Sequence, residues 1–222
     1  MKMNNAIQQH YQEVQTEILK TCQETGRDAQ TVKLVVVSKS QDAEKIRCLL
    51  KAGQRDFGEN RIEEIEKKWS ALLIDYPDVK LHFIGVIQSR KVRNIVKYCQ
   101  YIHSIDRLEI AEKIARECRL QNKITNCLIQ VNIGAEPQKA GIPIEQLPTF
   151  LTECNQHIQL PIAGIMCIPP INQDPAAYFR LMQKLRLEYR LKELSMGMSD
   201  DYVEAISNGA TMIRVGSKIL VS

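Results

Sequence analysis

The chain has 222 residues, 44% hydrophobic and 25% charged, the make-up of an ordinary globular protein with room for one sizeable core. Intrinsic disorder, collagen-like repeats and small disulfide scaffolds are excluded on that ground. Thirty Lys and Arg against 26 Asp and Glu leave a net charge of +4, with no block of like charge, so the balance argues for solubility and against a nucleic-acid footprint.

In chain order, Ile7, Tyr11, Val14, Ile18 and Cys22 recur at spacings of three and four, and Gly26 follows as a stop. An N-terminal helix is therefore expected around 5–25. The next segment, 31–40, carries the run Val35-Val36-Val37, which reads as a strand buried on both faces. Such strands belong to parallel sheets and need helical crossovers. Further strand patterns fall at 56–58, 80–85, 101–105, 125–132, 162–165, 193–195 and 211–215. Helical patterns separate them at 43–52, 61–73, 89–98, 108–119, 144–154, 175–189 and 201–208. This alternation predicts an α/β fold, a closed (β/α)8 TIM barrel filling 1–222 as a single domain. A doubly wound open sheet is the alternative; eight repeats with no long irregular segment favour closure.

The seven cysteines at 22, 48, 99, 118, 127, 154 and 167 form no CxxC and no Cys/His metal spacing. Scattered thiols in a chain with a good core read as reduced residues of a cytoplasmic protein. The N-terminus lacks an apolar signal core, and no apolar run approaches the ~20 residues of a membrane span. The few aromatics lie mostly inside apolar patterns, which gives no base-stacking platform. Neither a nucleic-acid nor a membrane partner is expected.

A barrel of this type carries its site at the carboxyl ends of the strands. Those positions hold Ser38-Lys39, Glu59-Asn60, Gly85 through Gln88, Ser104, Asp106, Asn132, Met166, Gly197 through Ser199, and Arg214 through Ser217. Lys39 follows a buried strand directly. It is either a nucleophilic amine facing a cavity or a lysine whose head simply reaches water. Ser199, in the turn SMGMSDD, either contacts a phosphate together with Gly216-Ser217 or caps the following helix. Those two turns follow the seventh and eighth strands, the usual place for a barrel phosphate site. Arg214 either forms a structural ion pair or donates to a bound ring, and its permanent charge would leave a pyridine nitrogen unprotonated. His82 reads as a packed or capping residue, and His103 is open between a packing and a functional role. His10 and His157 read as surface positions, and no HExxH, Walker loop or GxSxG occurs.

VVVSKS at 35–40, GQRDFGEN at 53–60, HFIGVIQSRK at 82–91, SIDR at 104–107, IQVNI at 129–133 with KAG at 139–141, SMGMSDD at 195–201 and RVGSKI at 214–219 together resemble the pyridoxal-phosphate homeostasis proteins. That family is similar to the N-terminal barrel of alanine racemase, fold type III without the second β-rich domain. The resemblance implies that Lys39 holds pyridoxal 5'-phosphate as a Schiff base, that Asn60 lies near the cofactor, and that Ser199, Gly216 and Ser217 bind its phosphate. It further implies that Arg214 faces the pyridine nitrogen and that Lys139 assists cofactor transfer. Two departures from the family pattern stand out: Arg90, where members usually carry Asn, and the ending Lys218-Ile219-Leu220-Val221-Ser222, where they usually continue with Phe-Gly.

The function so implied is intracellular vitamin B6 and amino-acid homeostasis without robust catalysis, by a monomer whose recipients would be pyridoxal-phosphate-dependent apoenzymes. One alternative is an amino-acid racemase or lyase. A racemase of this fold type needs a second acid/base, in alanine racemase a tyrosine from the other domain, and Tyr101, Tyr178 and Tyr202 sit where no such role can be argued. The other alternative is a barrel that binds a phosphorylated metabolite without a covalent link.

Overall fold

β-branched and aliphatic residues at 33–37 commit that segment to an extended conformation that can be buried on both faces, and the same holds at seven further places. The strands are β1 Lys33–Val37, β2 Asp56–Glu59, β3 Lys80–Phe83, β4 Tyr101–Ile105, β5 Asn126–Val131, β6 Ile162–Cys167, β7 Glu193–Ser195 and β8 Met212–Val215. Each pairs in parallel with the next, and β8 returns to β1 (Lys33 opposite Met212, Val35 opposite Arg214), which closes the barrel. The expected (β/α)8 barrel is the fold observed. The computed structural model describes residues 2–220. Val221 and Ser222 lie outside the described residues.

The helices are α1 Lys2–Glu24, α2 Ala43–Lys51, α3 Ile62–Asp75, α4 Val92–Tyr98, α5 Leu108–Leu120, α6 Leu147–Thr152, α7 Ala176–Glu188 and α8 Tyr202–Ser207. The additional helix α1 lays Ile7, Tyr11, Val14, Ile18 and Cys22 into the core against α2 and α8. The expected helix 144–154 is instead a 3₁₀ turn at Ile144–Gln146, then α6, then a π-helical turn at Glu153–His157. Pro143 and Pro148 bracket its start, and a proline supplies no N–H for a regular helical ladder. His10 is half-buried on α1, not at the surface, whereas His157 is exposed.

Side chains alternate along each strand, and that parity sets what each face can do. Leu34, Val36, Phe57, Leu81, Ile102, Ile129, Ile165, Leu194 and Ile213 point outward into the main core under the helices. Val35, Tyr101, Leu128, Met166 and Met212 point inward and pack with one another on the barrel axis. His82, His103 and Ser195 share this interior, each fully buried.

Burial pushes the His82 and His103 pKa values down, and the Asp56 carboxylate beside His82 offsets only part of that. Both imidazoles are thus neutral in the native state under conditions where unfolded histidine takes a proton. Stability from this source is complete above the unfolded value of 6.5 and is lost as the pH falls below it towards the native values. The expected slope approaches about 1.4 kcal/mol per pH unit for each histidine. Urea midpoints measured from pH 7.5 down to pH 5 check this; a flat profile would contradict neutral burial.

Outside the barrel, Glu59 is fully buried and its Oε1 accepts from Ser38 Oγ at 2.7 Å and from Trp69 Nε1 at 3.0 Å. Lys68 Nζ pairs with the same oxygen at 2.8 Å and donates to the Ser38 carbonyl at 2.8 Å. One carboxylate thereby ties α3 to the carboxyl end of β1. The seven cysteines are all unbridged thiols, six of them buried, and burial raises the pKa of Cys99, Cys154 and Cys167 to about 12. The six buried thiols are inert core residues.

Candidate functional site

At the carboxyl end of the strands a cavity of about 660 Å³ opens. Its floor and walls are the last inward positions of the strands, as the alternation requires. Continuing the inward set Lys33, Val35, Val37 by one step brings Lys39 into the cavity, and the set Asp56, Gly58 leads in the same way to Asn60. Gln130, Asn132, Met166, Ile168, Arg214 and Gly216 arrive from β5, β6, β8 and the loops after them.

Lys39 is exposed, and its amine has no ion-pair or hydrogen-bond partner among the described residues. The following residue, Ser40, holds a left-handed φ of 59° while its N–H donates to Glu64 at 2.7 Å. The chain therefore turns sharply away after Lys39, with the turn fastened to α3. The second lysine in the cavity wall is differently placed. Lys139 Nζ pairs with the Glu136 carboxylate at 2.5 Å and donates to the Pro169 carbonyl at 3.1 Å.

Beside β1, at the ends of β7 and β8, the two turns singled out from sequence meet. Ser199 Oγ accepts from the Gly216 N–H at 3.2 Å, and Ser217 stands exposed beside them. Ser199 does not cap α8. That helix begins after Asp201, and the turn before it is folded by Asp201 Oδ1 accepting from the Met198 N–H at 2.6 Å. Gly216 also permits a close approach to β1: an added Cβ would stand 3.1 Å from the Val37 carbonyl. At the rim, Gly85 is forced, since a Cβ there would lie 2.1 Å from the Asn60 carbonyl oxygen. Asn60 Oδ1 itself is buried without a partner.

Arg214 forms part of the floor and is 4% exposed. Its Nη1 donates to Ser195 Oγ at 2.6 Å and its Nη2 to the Cys167 carbonyl at 3.0 Å. The sequence left open an acidic partner; the contacts observed are neutral acceptors. Burial lowers the guanidinium pKa, with Cys167 and Asp201 working the other way.

Lys39, Asn60, Lys139, Ser199, Arg214, Gly216 and Ser217 thus all line one cavity. Several other expected members of the polar ring do not. Ser38 and Glu59 face outward to α3, and Ser104 Oγ donates to the Gly85 carbonyl at 2.5 Å. Gln130 was missed, although it is the inward neighbour of Asn132 at period two; its side-chain amide donates to the Ala140 carbonyl at 3.0 Å and fastens the loop that carries Lys139. None of the three tyrosines enters the cavity: Tyr101 accepts from Lys33 at 3.0 Å, Tyr178 donates to Gln173, and Tyr202 donates to Glu17. Arg90 is exposed outside it.

The alanine racemase, N-terminal domain family profile matches residues 10–221. The chain is 38% identical to the pyridoxal phosphate homeostasis protein of Pseudomonas aeruginosa, over 97% of this chain and 95% of that one. It is 36% identical to the protein of the same name from Aquifex aeolicus, over 90% of this chain and 91% of that one. Among solved structures, PipY of Synechococcus elongatus with PLP bound superposes with a TM-score of 0.83 at 33% identity, over 96% of this chain and 99% of that one.

Proposed function

We propose, for a chain that belongs to the alanine racemase N-terminal-domain family and within it to the pyridoxal phosphate homeostasis proteins, that the cavity binds pyridoxal 5'-phosphate and that the protein holds this cofactor in vitamin B6 and amino-acid homeostasis. The observation that carries the proposal is the disposition of polar groups in one cavity: an unpartnered lysine amine, a hydroxyl and backbone N–H pair at the neighbouring strand end, and a buried guanidinium in the floor.

The residues present fit the group. The Ser199–Gly216 contact, at 3.2 Å, is at the long end for an N–H···O bond, so both groups can turn to a stronger acceptor, and a phosphate offers three oxygens. Asn60 brings a buried carbonyl oxygen that still lacks a donor. When bound, the cofactor would supply an aldehyde able to link covalently to a lysine amine. Lys39 is the amine we assign to that link, because it is free and the turn at Ser40 aims it inward. Ser199, Gly216 and Ser217 hold the phosphate. Arg214, fixed by two acceptors, would donate from the floor to the ring nitrogen and keep it unprotonated. That would limit electron withdrawal by the ring, and with it the carbanion chemistry the site could support.

Lys139 is the residue we assign to release. Its amine becomes available when the pair with Glu136 opens, and from the opposite wall it can compete with Lys39 for the cofactor. Pyridoxal-phosphate-dependent apoenzymes are the recipients this implies. A closed barrel has no strand edge to satisfy, in keeping with a single-domain monomer. Among the described residues no helix is long and apolar enough to cross a membrane, and the free thiols suit the reducing cytoplasm.

The test is the visible spectrum of the purified protein with and without added pyridoxal phosphate, followed by borohydride reduction and peptide mapping. A yellow band and a pyridoxyl adduct on Lys39 are expected. A colourless protein without adduct on any lysine would leave the non-covalent phosphorylated-metabolite barrel in its place.

A further inference from the structure

A continuous file of buried polar groups crosses the barrel interior from the cavity floor towards the opposite, amino-terminal face. Arg214 Nη1 lies 2.6 Å from Ser195 Oγ, which lies 2.9 Å from His103 Nδ1. His103 Nε2 lies 2.9 Å from His82 Nδ1, and His82 Nε2 lies 2.9 Å from Asp56 Oδ1. Ser195, His103 and His82 are each fully buried, and the Asp56 side chain is 18% exposed at the far end.

The sense of every bond in this file follows from its ends. Guanidinium can only donate, so Ser195 Oγ accepts from Arg214 and has its own hydrogen free for His103 Nδ1. A neutral imidazole that accepts at Nδ1 carries its hydrogen at Nε2, so His103 donates to His82 Nδ1. By the same rule His82 donates from Nε2. What it meets there is a carboxylate, which only accepts. Starting from Asp56 and working upward gives the same assignment. The two ends agree, and no group is left with two donors or two acceptors facing each other.

We propose that Asp56, His82, His103 and Ser195 form a single-sense hydrogen-bond chain that positions the Arg214 guanidinium in the cavity floor and connects it to its counter-charge across the barrel. Arg214 is a buried cation whose two contacts are neutral, and an isolated buried charge is costly. A directed chain of neutral dipoles ending on a carboxylate supplies the compensation. Ser195 and His103 are positioning residues in this account, acting through Arg214.

The other charged groups around the file support neutral imidazoles. Lys33 from β1 and Lys80 from β3 face His82, and Arg214 faces His103, so a further cation on either ring is disfavoured. Asp56 alone pulls the other way at His82. Tyr101 stacks on the His82 ring at 4.3 Å and accepts from Lys33 at 3.0 Å. Glu193 on β7 is turned to Thr211 at 2.8 Å, and Asp201 lies on the Arg214 side.

What Arg214 faces rests on the cofactor proposal; the chain behind it does not. The test is long-range ¹H–¹⁵N NMR of the cofactor-free protein labelled at histidine, which holds four such residues. Two imidazoles are expected as neutral Nε2–H tautomers that keep this form as the pH is lowered past the ordinary histidine value of 6.5. An Nδ1–H tautomer at His82 or His103, or protonation of either ring at that ordinary value, would overturn the proposal. As a second measurement, Ser195→Ala removes the acceptor for Arg214 Nη1, a charged hydrogen bond, and is expected to weaken pyridoxal phosphate binding roughly ten- to a hundredfold. It should also remove the slowly exchanging Arg214 guanidinium proton signal. An unchanged Arg214 signal in folded Ser195→Ala would equally refute a positioning role. If the variant does not fold, the tautomers of the native protein decide. If the tautomers are as stated but no adduct forms on any lysine, the cofactor proposal fails and the chain stands.

Discussion

Lys39→Ala is expected to yield no borohydride-trapped pyridoxyl adduct and no yellow band, on a protein that folds as the parent does. The side chain is exposed and has no partner among the described residues, so its truncation should change stability by no more than about 0.5 kcal/mol. Its loss removes the one unpartnered lysine amine lining the cavity among the described residues, while the Ser199–Gly216 contact and the bonds of Arg214 to Ser195 and the Cys167 carbonyl are kept. Weak, reversible, non-covalent binding of pyridoxal phosphate should therefore persist, measurable by calorimetry and competed by inorganic phosphate. An adduct that survives in Lys39→Ala and maps to Lys139 would exchange the roles given to the two lysines. An adduct on a surface lysine remote from the cavity, at the parent's yield, would remove the cavity from consideration.

The second large effect is on stability. Glu59→Ala deletes an acceptor that serves Ser38, Trp69 and Lys68 at once, in a position with no access to water. Lys68 retains Glu64 at 3.0 Å, but the indole N–H and the Ser38 hydroxyl are left buried and unpaired. The expected cost is about 3–5 kcal/mol, read as a lower urea midpoint at unchanged m-value. Glu59→Gln keeps an acceptor oxygen and should lie between the two. Because Ser38 directly precedes Lys39, folded Glu59→Ala should also form its pyridoxal phosphate adduct more slowly, even though Glu59 never reaches the cavity. An adduct rate equal to the parent's would show that the turn at Ser40 and Glu64 places Lys39 by itself.

The sequence alone carried the alternation of strand and helix, because β-branched runs, three-and-four spacings and glycine stops are local signals that survive tertiary packing. It also carried the position of Lys39, Asn60, Ser199, Arg214 and Gly216 at the carboxyl ends of strands, where a barrel concentrates its polar residues. The helix types at 144–154, and at 89–98 where a 3₁₀ turn Ser89–Lys91 precedes α4, escaped that reading, since a short apolar period does not separate an α-helix from a 3₁₀ or π turn.

Which face each residue took was decided only in three dimensions. Ser38 and Lys39 are neighbours, yet the pleat sends one to a buried carboxylate under α3 and the other into the cavity. Ser199, adjacent to a helix it could have capped, reaches the backbone of Gly216 instead. His103 could not be judged from its strand because its partners come from β3 and from β7, 92 residues away. Periodicity records how much of a residue is buried. The identity of a buried polar group's partner depends on strand register and barrel closure, and those exist only once β8 has met β1.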